Sequence, residues 1–152
     1  MINARSEGID LKPSFKHAFK RRRCLILADG FYEWKATEEG KQPYRFIMKD
    51  KRPFAIAGLW ETWTKGMEPL TTCTIITTTA NEVTADVHDR MPVILSEDRY
   101  DSWLNPRLDD VAMLKSMLIP YPADLMDKYR VSTLVNSPKN DTEDILSPLN
   151  SL

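Results

Sequence analysis

From Phe54 to Trp63 and again from Thr71 to Thr79 the chain is dense in Ile, Thr, Phe and Trp, residues that pack well on a pleated surface. Shorter runs with the same character flank them: Cys24-Leu25-Ile26-Leu27, Phe31 to Lys35, Tyr44 to Met48 and Met91 to Leu95. Hairpin-length connections outnumber the longer helical crossovers that parallel neighbours need. The pattern predicts an α+β fold round a mainly antiparallel sheet, with short helices beside it. Asp29-Gly30 and Glu38 to Lys41 read as turns. Helices are expected from a Ser14 N-cap through Arg21, over Glu82 to Val87, from a Ser96 cap through Leu104, and over Asp109 to Leu118. Tyr129 to Val135 reads as a last strand.

The 152 residues fit one domain, taken as 1–152, and 42% hydrophobic with 28% charged residues excludes a disordered tail. No apolar run approaches the ~18 residues that cross a bilayer. The first seven residues hold no signal-peptide core. Two cysteines, Cys24 and Cys73, are too few for a disulfide scaffold, so a reduced cytoplasmic setting is expected. The net charge of −1 conceals a division: Met1 to Lys65 holds 14 Lys/Arg against 8 Asp/Glu, and the remainder 7 against 14. A locally basic half can attract a polyanion, although solvated faces of ordinary elements explain the same letters.

Two groups stand out as carriers of chemistry. His88 lies in Val87-His88-Asp89-Arg90-Met91-Pro92, between an expected helix and a strand. An imidazole beside Asp89 and Arg90 can exchange protons near neutral pH, and equally can cap a helix. Alternation along the strand puts Glu33 on one face with Phe31, and Tyr32 with Trp34 on the other. A carboxyl beside Phe31 is partly desolvated and raised in pKa; on an edge strand it simply faces water. His17, among Lys16, Lys20 and Arg21, reads as a surface residue. Cys24 and Cys73 lie inside strand-like runs, the setting of buried, inert thiols, and a hydrolase pairing Cys73 with His88 is a distant rival. Two Cys and two His at scattered positions show no metal-ligand spacing, and no cofactor is implied. Trp34, Trp60, Trp63 and Trp103 suit a core, and also suit stacking on bases.

Several blocks together resemble one family. Ile2-Asn3-Ala4-Arg5-Ser6-Glu7, Arg23 to Trp34, Ala57-Gly58-Leu59-Trp60, Thr74 to Thr78, His88 to Leu95 and Val135-Asn136-Ser137 are similar, in that order, to the signatures of the SOS response-associated peptidase (SRAP) family. The resemblance covers essentially the whole chain. It implies a bifurcated, partly barrel-like sheet and a protein that processes abasic sites in single-stranded DNA. In the family an N-terminal cysteine, bared by self-removal of the initiator methionine, condenses with the abasic aldehyde and closes a thiazolidine. Only such a residue offers an amine and a thiol on adjacent carbons, and an α-amine of pKa ~8 is partly neutral in the cell. The resemblance gives Asn3 the hydrogen bonding of sugar or amine. Glu33 becomes the proton shuttle and His88 the acid/base of ring opening, with Arg5 and Arg90 on flanking phosphates.

The family's opening segment, which begins Met-Cys-Gly-Arg, has no counterpart in this sequence; residue 2 is Ile2. The expectation is an N-terminally incomplete domain whose native form starts upstream with the cysteine. Taken literally, the chain would form no thiazolidine and would expose unpaired strand edges that favour self-association. The rival reading is a non-catalytic single-stranded-DNA-binding remnant using Arg5, Arg90 and the basic segment Lys16 to Arg23.

Overall fold

The computed structural model describes residues 2–149. Its strands are β1 (Asn3–Arg5), β2 (Arg23–Ala28), β3 (Phe31–Thr37), β4 (Gly40–Met48), β5 (Phe54–Trp63), β6 (Leu70–Thr79), β7 (Arg90–Pro92), β8 (Ile94–Leu95) and β9 (Met126–Arg130). The helices are α1 (Lys16–Arg21), α2 (Tyr100–Leu104) and α3 (Val111–Ser116), joined by short 3₁₀ turns. The expected α+β class is what the chain forms. None of the described helices is long and apolar enough to cross a membrane.

One sheet runs in the order β1-β6-β5-β2 and divides in two. β5 and β6 pair as a hairpin from Trp63↔Leu70 inward to Gly58↔Ile75, then separate. The segment 90–95 fills the fork. β7 pairs with β6 through Thr77–Thr79, and β8 pairs with β5 through Ala55 and Ile56. Val93 stitches both arms: its amide donates to Ile76 O at 2.8 Å, and its carbonyl accepts from the Ala57 amide at 2.8 Å. Gly58 stands at the branch because a Cβ there would lie 2.7 Å from Ile26 Cδ1 and 3.2 Å from Thr74 O.

The second sheet, β3-β4-β9, is antiparallel throughout. Between the sheets lies a core of Phe46, Met48, Phe54, Ile56, Met91, Ile94 and Met126, with Phe31 stacked on Phe46 at 4.9 Å. A separate core under the helices joins Phe19, Trp103 and Leu114 to Leu59 and Ile76. The outer face of the second sheet is roofed by the C-terminal segment: Tyr32 donates to Ile145 O, Tyr129 to Leu146 O and Trp34 Nε1 to Asn136 Oδ1.

Arg23 joins the helical layer to the sheet. Its buried guanidinium donates to five carbonyls: Phe19, Lys20, Trp103, Asn105 and Leu108. It also lies over the Trp103 ring at 5.6 Å.

Several local expectations are corrected. Residues 82–87 form turns, not a helix, because Asn81 Oδ1 accepts from the amides of Val83 and Thr84 and bends the backbone there. The last strand begins and ends early, at Met126–Arg130; Ser132 Oγ accepts from the Leu134 amide and winds Thr133–Asn136 into a 3₁₀ turn. Ser14 does not cap α1, since turns from Gly8 to Lys12 feed the chain into it through Phe15. Asp29-Gly30 makes a corner between the two sheets. The Gly30 backbone lies so near Phe46 O that a Cβ would stand 2.9 Å from it, and Arg45 pairs with Asp29 at 3.0 Å.

Candidate active site

Alternation along β1 buries Ala4 and exposes Asn3 and Arg5. The parallel register sets Asn3 beside Ile75 and Arg5 beside Thr77. Ile75 packs on the inter-sheet core, so this face of β1 borders the cleft between the sheets.

Glu33 comes from β3, on the other sheet. It is half-buried and shares its face with Phe31, as alternation predicts. Burial raises its carboxyl above the ordinary 4.5; the His88 imidazole opposes this, Asp89 adds to it, and the Trp34 amide lowers it. Desolvation dominates, which favours the neutral carboxyl more than water would.

His88 ends the turn at 82–87, its amide bonded to Thr84 O at 2.9 Å. Asn81 fixes that turn from beneath, with Nδ2 donating to Tyr121 O at 2.8 Å. The Arg90 amide donates to His88 Nδ1 at 3.1 Å, so the neutral ring carries its proton on Nε2. Once protonated, Nδ1 has two acceptors at hand, Arg90 O at 3.2 Å and Asp89 Oδ1 at 3.4 Å.

Arg90 reaches round β6 to the β1 side. Its guanidinium makes a two-pronged pair with Glu7, at 2.8 and 2.9 Å, and donates to Thr77 O at 2.8 Å, while Nε is buried without a partner. Arg90 thus arrives already held, whereas Arg5 is exposed. Hydrogen bonding from Arg90 holds the Glu7 carboxyl at about 2, against an ordinary 4.5. A depressed carboxyl contributes stability above its unfolded value and loses it as pH falls through the folded one. Acid titration of stability between about 4.5 and about 2 should therefore contain a Glu7 component that Glu7→Gln removes. A melt series in which the two proteins stay parallel through that window would exclude it.

Sequence reasoning gave Glu7, Thr77, Asn81, Lys35, Asp86 and Lys128 no role. Glu7 and Thr77 lay inside quoted blocks, and Asn81-x-x-Thr84 is a readable Asx-turn pattern. The long-range pairs had no local signal.

Other candidates separate from this cleft. The Cys24 thiol is pushed up by burial and lies in the first sheet. Cys73 is exposed, contrary to expectation, because the β5–β6 hairpin extends past the body of the sheet. Along β6 it stands six residues from Thr79, the partner of Arg90, or about 20 Å at ~3.3 Å per residue. That distance rules out a Cys73–His88 dyad. The arginines of the basic segment are engaged within the fold, while Lys16 and Lys20 are exposed: Arg21 bonds Pro106 O and Asp109, Arg22 bonds Glu61, and Arg23 is buried. Among the described residues, no group of three His, Cys, Asp or Glu gathers as a metal site.

Residues 1–138 match the family model described as SOS response associated peptidase (SRAP). The chain is 51% identical over 148 residues to abasic site processing protein YoqW of Bacillus subtilis (strain 168), covering 96% of this chain and 66% of the relative. It is 38% identical to abasic site processing protein HMCES of Gallus gallus, covering 97% and 50%. A crystal structure of a Bacteroides thetaiotaomicron protein superposes with a TM-score of 0.89 at 32% identity, over 97% of this chain and 66% of that one. The chain spans about two thirds of the length of its bacterial relatives and half that of the vertebrate one. By its motifs, fold and matched length, the chain belongs to the SOS response associated peptidase (SRAP) family.

Proposed function

We propose that this chain carries the acid/base and phosphate-facing part of an abasic-site processing protein acting on single-stranded DNA. The observation that supports it most directly is the cleft pairing of Glu33, its carboxyl raised by burial, with His88 on the opposite sheet's loop.

An abasic sugar is mostly a closed hemiacetal, and in this reading His88 assists ring opening by moving a proton at the ring oxygen. The aldehyde then meets the α-amine of an N-terminal cysteine, which the family's opening segment supplies. Addition gives a carbinolamine, and Glu33, protonated, donates to the departing hydroxyl so that water leaves and the imine forms. The cysteine sulfur adds to the imine carbon as its proton passes to the nitrogen, closing the thiazolidine. Water is the only by-product. Asn3 offers an amide for the sugar or the amine, and Arg5 and Arg90 set positive charge beside flanking phosphates. The binding-remnant reading keeps the same two arginines with the exposed Lys16 and Lys20, since Arg21 to Arg23 are engaged within the fold.

The test joins the family's N-terminal segment ahead of Ile2 and challenges the product with matched oligonucleotides. An adduct surviving denaturation should form with the abasic strand, and be absent with an intact strand or when the N-terminal cysteine is alanine. Equal retention of abasic and intact strands, abolished by salt and never covalent, would replace this reading with the remnant.

A further inference from the structure

Glu33 and His88 stand on different sheets, so something must set their separation. Two residues along β3 from Glu33, on the same face, Lys35 Nζ lies 3.5 Å from Asp86 Oδ2. Asp86 is two residues before His88, in the turn that carries it. On β9 of the same sheet, Lys128 pairs with the other Asp86 oxygen and donates to Val83 O at 2.8 Å. Its ammonium also lies 5.8 Å from the centre of the Tyr44 ring, and Tyr44 is the register partner of Glu33. Two lysines from one sheet thus grip a carboxylate and a carbonyl of the turn that leaves the other. Lys128 is the more enclosed, with a side chain 22% exposed against 39% for Lys35.

We infer that Lys128, with Lys35, is a positioning residue that holds the His88 turn against β3 and so sets the distance between the Glu33 carboxylate and the His88 imidazole. The inference rests on the functional reading for its purpose, but not for its measurement. Surface ion pairs add little to stability, roughly 0–1 kcal/mol, so the contribution lies in geometry. The groups around the pair are Asp89 and Arg90 beside His88, Asp86 on its turn, Lys35 and Tyr44 beside Glu33, and Lys128 on β9.

The experiment measures the Glu33 carboxyl titration by NMR in carboxyl-labelled protein, with Glu33→Gln used for assignment. Removing the imidazole by His88→Gln takes away an opposing charge, and should move the Glu33 midpoint upward. The size of that movement reports their proximity. In a Lys128→Met background the movement should shrink to less than half, and Lys128→Arg should restore it. Because each comparison keeps Lys128 constant, the direct field of the ammonium cancels. An undiminished movement in Lys128→Met overturns the inference, and so does a loss that Lys128→Arg leaves unrestored. No DNA enters the measurement, so a failure here is separable from a failure of the proposed reaction.

Discussion

Glu33→Gln, in a protein that carries the N-terminal cysteine, is expected to slow covalent capture of an abasic strand by ~10²–10⁴-fold, the usual worth of a placed acid/base group. Glutamine keeps the shape and can still donate a hydrogen bond, so DNA affinity should be nearly unchanged. The same substitution should make the fold more stable at neutral pH. Burial raises the folded carboxyl above its ordinary 4.5, so ionising it costs stability as pH climbs through the folded value. Glutamine never ionises. The Tm advantage of Glu33→Gln should grow as pH rises above about 4.5 and vanish below it, where glutamic acid is neutral in both states. Slower capture without added stability would make Glu33 a structural residue damaged by replacement. Unchanged capture would remove it from the mechanism.

Arg23→Met should have the largest effect on the fold, on the order of 3–5 kcal/mol, as when one partner of a buried charged network is removed. Methionine matches the length of the stem but takes the guanidinium from the carbonyls of Phe19, Lys20, Trp103, Asn105 and Leu108, of which Asn105 keeps a bond from the Leu108 amide. For a chain of 152 residues this corresponds to a Tm fall on the order of 10 °C. Arg23→Lys should rescue little. An ammonium has three donors and no planar fork, and these acceptors come from two separate stretches of chain. Denaturant melts of the three proteins check this; a loss under 1 kcal/mol for methionine would mean that water replaces the guanidinium.

What could be read in advance divides by range of interaction. The long strands β5 and β6 announce themselves, because packing on a pleated surface is a property of each residue in turn. Period-two alternation likewise placed Phe31 and Glu33 opposite Tyr32 and Trp34. The fork was reached through the family likeness, since no residue between Phe54 and Thr79 states that its strand will part from its neighbour. Short elements misled: a single Asn81 carboxamide outweighs the helical look of Glu82 to Val87, and Ser132 stops a strand that Val135 would have continued. Charge was hardest of all. Arg21, Arg22, Arg23 and Arg90 look alike in the sequence, yet their acceptors lie 39 to 88 residues away apart from two carbonyls beside Arg23 and Thr77, 13 positions before Arg90. The role of Arg90 depends on Glu7, 83 positions distant, and no pattern of neighbours encodes that.

The filled fork also bears on when the cleft comes into being. The β5–β6 hairpin is closed by local contacts, whereas segment 90–95 must find two strands at once, one of them some 35 to 40 positions back along the chain. His88 and Arg90 enter directly into that segment. Segment 90–95 is consequently among the late acquisitions of folding, and thereafter it leaves the fork only when the sheet itself comes apart. The strand that follows His88 should share the hydrogen-exchange lifetime of the Val93 amide, whereas the turn before it keeps a position that side-chain contacts can tune.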